Sequence, residues 1–182
     1  MRIRLFGKKK SRFDKSVEIV EGSRICGETT IGHNTYIGAR CDVTKAEIGR
    51  YVSIANNVSI GSGEHHIKNI STSSLFYKNA YEELTRGSCI IESDAWIAVD
   101  AIIRRNVRIG LGAVVGANSF VNRDVPDFAI VAGSPAKLIG YRFDADQIER
   151  IRASRWWEKE YDEARQIIAR LQEEISKEPM AT

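Results

Sequence analysis

Two adjacent histidines, His65 and His66, lie in the stretch GSGEHHIKNISTSSLFY and are the side chains of this sequence best suited to moving a proton. An alcohol is a poor nucleophile until a base removes its proton, and neutral imidazole, with an ordinary pKa of about 6.5, does that near neutrality. Neighbours in an extended segment point to opposite sides, so a single site would use one of the two. His33, beside Gly32, reads as a solvated surface residue. Three imidazoles around one ion would make a metal site; a distant His33 and two adjacent rings do not supply that, and no metal is expected. The same stretch carries Ser71, Thr72, Phe76 and Tyr77, whose hydroxyls and aromatic faces suit a sugar.

The residues around this stretch form two ladders. Ile91, Ile97, Ile103, Ile109, Val115 and Val121 recur every six residues. Upstream run Ile19, Ile25, Ile31, Ile37 and Val43, then, after a five-residue step, Ile48, Ile54 and Ile60. Four residues after most ladder positions comes a second, smaller one: Ser23, Thr29, Thr35, Cys41, Val52, Val58, Ala95, Ala101, Val107, Ala113, Ser119, Val125. Two inward residues per six fit neither a helix nor an unbroken strand. They fit a hexapeptide repeat of short parallel strands joined by sharp turns. Gly32, Gly38, Gly49, Gly61, Gly110 and Gly116 directly follow ladder residues, where a cramped turn is expected to need glycine. Glu47 breaks the pattern at the five-residue step, and its carboxylate is expected to face outward.

This organisation gives a basic leader over 1–15, a solenoid domain over 16–140 with an extruded loop at 61–89, and a helical tail over 141–182. A loop that long inside a regular repeat points to function. In the tail, Asp144 and Gln147 form a capping box, two helices break near Ala153 and Ser154, and an apolar stripe including Ile148, Ile151, Trp156, Trp157, Ile167 and Leu171 is expected to pack on the solenoid end or a neighbouring subunit.

The chain has 182 residues, 43% of them hydrophobic, and a net charge of +3. That charge is too small to argue for nucleic acid, and no apolar run is long enough to span a membrane. Arg2, Arg4, Lys8, Lys9, Lys10 and Arg12 precede no apolar stretch, so the leader reads as a solvated arm with a weak option on an anionic membrane surface rather than a signal peptide. Cys26, Cys41 and Cys89 are odd in number and show no CxxC spacing, which fits a reduced, cytoplasmic chain.

Three segments resemble the hexapeptide-repeat acyltransferases, in the branch holding sugar O-acetyltransferases and the xenobiotic acetyltransferases for chloramphenicol and streptogramins. They are GEHHIKNISTSSLFY, SDAWIAVDAIIRRNVRIGLGAVVGANSFVNRDVPDFAIVAGSPAKLI and YRFDADQIERIRASRWWEKE, and the resemblance covers about residues 19–160. It implies an all-β, left-handed parallel β-helix assembled as a homotrimer, with each site shared between two subunits. It also implies direct acetyl transfer from acetyl-CoA, with His65 as general base and a backbone N–H near Ala98 or Val99 on the oxyanion. The pantetheine arm would run near Ala98, Val99, Gly116 and Ala117, with Asn122, Arg123 and Lys137 toward the CoA end. Trp96 would line the acetyl pocket or pack between coils. His66 stands where many sugar-modifying relatives have Pro, Ser73–Ser74 replace a common His-Pro pair, and Ala98 replaces a usual Gly. The expected acceptor is a carbohydrate hydroxyl, of a surface polysaccharide or nucleotide sugar; an antibiotic hydroxyl is the alternative, and a scaffold without chemistry the third.

Overall fold

The structure, a computed structural model, describes residues 11–177; most of the basic leader (1–10) and residues 178–182 lie outside the described residues. Strands wind into a left-handed parallel β-helix, each coil giving one short strand to each of three sheets. The first sheet holds β1 (Arg12–Phe13), β4 (Thr30–Ile31), β7 (Ala46–Ile48), β10 (Cys89–Ile91) and β13 (Arg108–Ile109). The second holds β2 (Glu18–Ile19), β5 (Tyr36–Ile37), β8 (Ser53–Ile54), β11 (Trp96–Ile97), β14 (Val114–Val115), β16 (Ala129–Ala132) and β17 (Lys137–Tyr141). The third holds β3 (Arg24–Cys26), β6 (Asp42–Thr44), β9 (Ser59–Ile60), β12 (Ile102–Ile103) and β15 (Phe120–Val121). Trp96 pairs with Val114 and Ile102 with Phe120, so one coil takes 18 residues, or three hexapeptides.

Ladder residues fill the interior: Ile37, Val43, Ile54, Ile60, Ile97 and Ile109 have no exposed surface. The smaller positions are inside as well, and those bearing hydroxyls are hydrogen-bonded: Ser119 Oγ accepts from Gly133 N at 3.1 Å, and Ser23 Oγ donates to Gly38 O at 2.7 Å. Thr29 Oγ1 donates to Cys26 O at 2.8 Å and Thr35 Oγ1 to Gly49 O at 2.9 Å, which makes burial of a polar atom tolerable. At the five-residue step Ala46 takes the inner place and Glu47 faces outward, as expected.

The glycines after the ladder residues work differently from the expectation. Gly32, Gly38, Gly49, Gly110 and Gly116 have ordinary φ values, and among the six only Gly61 is left-handed. What they lack is room. A Cβ on Gly32 would sit 2.6 Å from the Gly49 carbonyl carbon, and one on Gly49 or Gly110 would sit 2.5 Å from the backbone nitrogen of Ser93 or Asp127 in the next coil. The left-handed residue comes three positions after the ladder residue, at Asn34, Arg40, Tyr51, Asn57, Asp94, Asp100, Asn106, Gly112 and Asn118, all with φ between 55° and 63°. Asn and Asp tolerate that region better than other residues with a Cβ.

Two features at the C-terminal side depart from the sequence reading. β17 runs antiparallel to β16 and ends the parallel stacking. The tail, α2 (Ala145–Ser154) and α3 (Tyr161–Ser176), lies along a flank rather than over the end. Its Ile151, Trp156 and Ala164 pack with Leu111 and Phe128, which occupy the turns between the first and second sheets. Arg50 Nη1 donates to Glu158 O at 2.7 Å, and Tyr51 Oη to Lys159 O at 2.8 Å. The capping box on Asp144 and Gln147 is present, and the helix break comes at Arg155, in left-handed conformation.

Candidate active site

Loop 61–89 leaves the solenoid between β9 and β10, at the turn from the third sheet to the first. His65 is exposed near its start, and its Nδ1 makes a short contact with the Thr72 carbonyl oxygen. A carbonyl only accepts, so Nδ1 carries the proton and Nε2 keeps its lone pair. Thr72 therefore meets the histidine through its backbone. Tyr77 stands beside both imidazoles, edge-on to His65 with centroids 6.1 Å apart and tilted to His66 at 5.5 Å. Its Oη accepts from the His66 N–H at 2.8 Å. The two rings thus share one neighbour rather than dividing cleanly between opposite sides. Ser71 Oγ accepts from Ser73 N at 3.1 Å, and Ser73 caps a 3-10 turn at Ser74–Phe76. Phe76 is exposed, as are Ile67, Ile70 and Leu75 around it.

Three residues that the sequence reading did not single out fasten this loop. Glu64, next to His65, is gripped by Arg104 through two bonds of 2.8 and 2.7 Å. Both side chains are about half exposed, which holds such a pair to about 0–1 kcal/mol. Arg105 is different: it is buried and binds backbone only, giving Nη1 to Gly87 O at 2.9 Å, Nη2 to Thr44 O at 2.8 Å and Nε to Ser62 O in a longer 3.5 Å contact. Burial pulls the guanidinium below its usual pKa range. Each buried carbonyl left unpaired costs about 1–3 kcal/mol, so this contact outweighs the exposed one. A signal existed in the ladders. With the loop set aside, Ile60 pairs with Ile103, so Arg104 and Arg105 must lie over Gly61 and Ser62.

The residues assigned to the donor fall into separate groups on one chain. Trp96 is 52% exposed on the outer face of the second sheet, where it borders a hollow of about 510 Å³ with Tyr51, Ser53, Asp94 and Arg142. Burial pushes the Asp94 carboxyl up, while Arg142, donating at 2.9 Å, pulls it down. Val99 and Ala117 are exposed at the turn from the second sheet to the third, where Asn118 N donates to Val99 O at 3.0 Å. Ala98 and Gly116 are tied into the coils: their N–H groups donate to Val115 O at 2.9 Å and Val131 O at 2.8 Å. Ala98 N–H is therefore committed, and of the two candidates only Val99 is left for an oxyanion. Arg123 and Lys137 meet in a hollow of about 300 Å³ beside Asp124 and Pro126, with half-buried Asn122 preceding them in the chain. No hydrogen bond or ring contact joins His65 to any of these groups among the described residues.

No family model matches the chain. It is 36% identical over 121 residues to a chloramphenicol acetyltransferase of Agrobacterium fabrum, covering 60% of this chain and 58% of that protein. It is 30% identical over 136 residues to a probable macrolide acetyltransferase of Lysinibacillus sphaericus, covering 69% and 73%. A hexapeptide-repeat acetyltransferase from Vibrio cholerae, solved in complex with acetyl coenzyme A, superposes with a TM-score of 0.56 at 27% identity, over 76% of this chain and 70% of that one. The chain spans 58–62% of the length of the chloramphenicol acetyltransferases it matches.

Proposed function

The chain belongs to the hexapeptide-repeat acyltransferases, and on that premise we propose that it moves an acetyl group from acetyl-CoA to a hydroxyl of a carbohydrate, with His65 as general base. The observation that carries this reading is the contact of His65 Nδ1 with the Thr72 carbonyl oxygen, which in the neutral ring leaves Nε2 as the atom that can accept a proton. Nε2 takes the proton from the acceptor hydroxyl as its oxygen bonds to the thioester carbon. The Val99 N–H is the donor available to the oxyanion. When the C–S bond breaks, the proton on Nε2 passes to the departing thiolate, and no covalent enzyme intermediate is needed. Acetyl-CoA supplies the activated acyl group, and the Arg123–Lys137 hollow has the cations its phosphates require.

His65 sits on a loop rooted between the third and first sheets, whereas Trp96 lies on the second and Val99 at the turn from the second to the third, which favours a site completed by a neighbouring copy, in a homotrimer. No helix of the described residues is long and apolar enough to cross a membrane, and all three cysteines are free, in keeping with a cytoplasmic enzyme.

A carbohydrate acceptor is supported by the exposure of His65 and by the hydroxyls and aromatic faces that Ser71, Thr72, Phe76 and Tyr77 offer in the same loop. A second reading, an antibiotic hydroxyl, is favoured by the chloramphenicol and probable macrolide acetyltransferases among the relatives and by exposed Ile67, Ile70 and Leu75. Thiol release from acetyl-CoA across sugars, nucleotide sugars, chloramphenicol and streptogramins separates them. Turnover is expected with a carbohydrate and should fall about 10²–10⁴-fold in His65→Ala. Turnover of chloramphenicol alone would reverse the ranking, and a His65→Ala enzyme within tenfold of wild type would remove the base.

A further inference from the structure

We propose that Arg105 is a positioning residue: its buried guanidinium sets the angle at which the His65 loop stands on the coils, by holding both ends of the loop and the coil beneath at once. The proposal rests on the reading of His65 as the base.

The loop has no core of its own to fix that angle. Between residues 62 and 88, Thr85 is the one buried residue. Its two arms are joined near the base by the Glu64 N–H to Leu84 O bond at 2.8 Å, so the segment can tilt as a body about its ends. Those ends are Ser62 and Gly87, and Arg105 binds the carbonyls of both, together with Thr44 O in the coil beneath. Three acceptors from three separate backbone segments match a planar fork of five donors, where a lysine ammonium would reach fewer.

Local geometry at both ends independently shows how tightly the turn formed by Arg104, Arg105 and Asn106 is applied. Gly61 and Gly87 are both left-handed, with φ of 64° and 78°. A Cβ on Gly61 would come 3.0 Å from Arg105 Nη2, and one on Gly87 would come 1.9 Å from Asn106 Oδ1. Further ties include Arg104 to Glu64 at 2.7 Å, Lys45 to Glu82 at 2.8 Å, the Lys45 ammonium 4.9 Å from the Tyr81 ring centroid, and Ser88 Oγ to Glu47 at 3.4 Å. Glu64 and Glu82 are 40% and 59% exposed, so water competes for both pairs. Arg105 is 6% exposed and carries the angle. His65 lies three residues beyond Ser62, so a tilt at the root displaces Nε2 from the reacting hydroxyl, and displacement by about 1 Å can cost about 100-fold in rate.

The test compares full-length wild type, Arg105→Ala, Arg105→Lys, Arg104→Met and His65→Ala in the thiol-release assay. For Arg105→Ala kcat should fall about 100-fold, with KM for acetyl-CoA within about twofold of wild type. Millimolar guanidinium, filling the vacated site, should restore much of the loss. Amide exchange should quicken over residues 62–88 while the coils keep their protection. Arg104→Met should stay within about threefold. If Arg105→Ala does not fold, Arg105→Lys decides: a folded enzyme with reduced kcat and unchanged KM supports the proposal, and wild-type kcat overturns it. Arg105→Ala at wild-type kcat, or a loss that guanidinium leaves untouched and that protection changes throughout the coils accompany, overturns it as well. A His65→Ala enzyme that remains active points instead to failure of the assignment of the base.

Discussion

Residues 46–60 and the loop that follows them draw their order from different sources. In the coil, Ala46, Ile48, Val52, Ile54, Val58 and Ile60 are buried, and each outward neighbour is held by ladder bonds to the coils above and below. In the loop nearly every side chain is at the surface, and the fixed points are a few polar contacts at its root and the His65–Thr72 bond within it. A repeat whose interior is already filled can carry a segment optimised for contact with something else. With His65 as the proposed base, chemistry would reside where packing is thinnest, and its position would be set from where packing is densest.

That division can be broken or sharpened by substitution, with urea midpoints compared at fixed protein concentration. The largest effect is expected for Ile97→Ala, which removes a fully buried ladder residue and should cost about 2–5 kcal/mol. A cost below 1 kcal/mol would mean that the coils do not hold the molecule together. Gly110→Ala is expected next, at about 1–3 kcal/mol, because its methyl would meet the Asp127 backbone in the next coil. If only dihedral freedom mattered at that site, the substitution would be nearly silent, since φ there is ordinary. Phe76→Ala should be the smallest, within about 0.5 kcal/mol, while raising KM for the acceptor. Loss of stability comparable to that of Ile97→Ala would show that the loop has packing of its own.

What the sequence made legible follows the range of the interaction. The isoleucine ladders are readable because the inward spacing is set by covalent geometry repeated every six residues, and the Asp144 capping box is readable because donor and acceptor are three residues apart. The outward turn of Glu47 followed from the same count. The role of the glycines was misread because the atom that excludes a Cβ belongs to the next coil, 16 to 18 residues later or, at Gly49, beyond the loop. The reversal at β17 has no ladder signature, and the placement of the tail depends on side chains brought together at turns of successive coils. The extrusion of the loop and the place of His65 near its start were legible in outline. The engagement of Thr72 by its carbonyl, the commitment of the Ala98 N–H and the burial of Arg105 were not, since each depends on contacts outside the local motif.

A stack of coils stores its stability between nearest neighbours, and such a chain is free to unzip from an end, one coil at a time. The tail interrupts that freedom. Arg50 and Tyr51 bind carbonyls 108 positions further along, past the loop and the later coils, and the same helices rest on Leu111 and Phe128. Opening the later coils therefore strips the tail from an earlier one, and a linear array acquires a long-range coupling that its repeats alone do not contain. Such a solenoid is expected to open as a unit, in the manner of a globule.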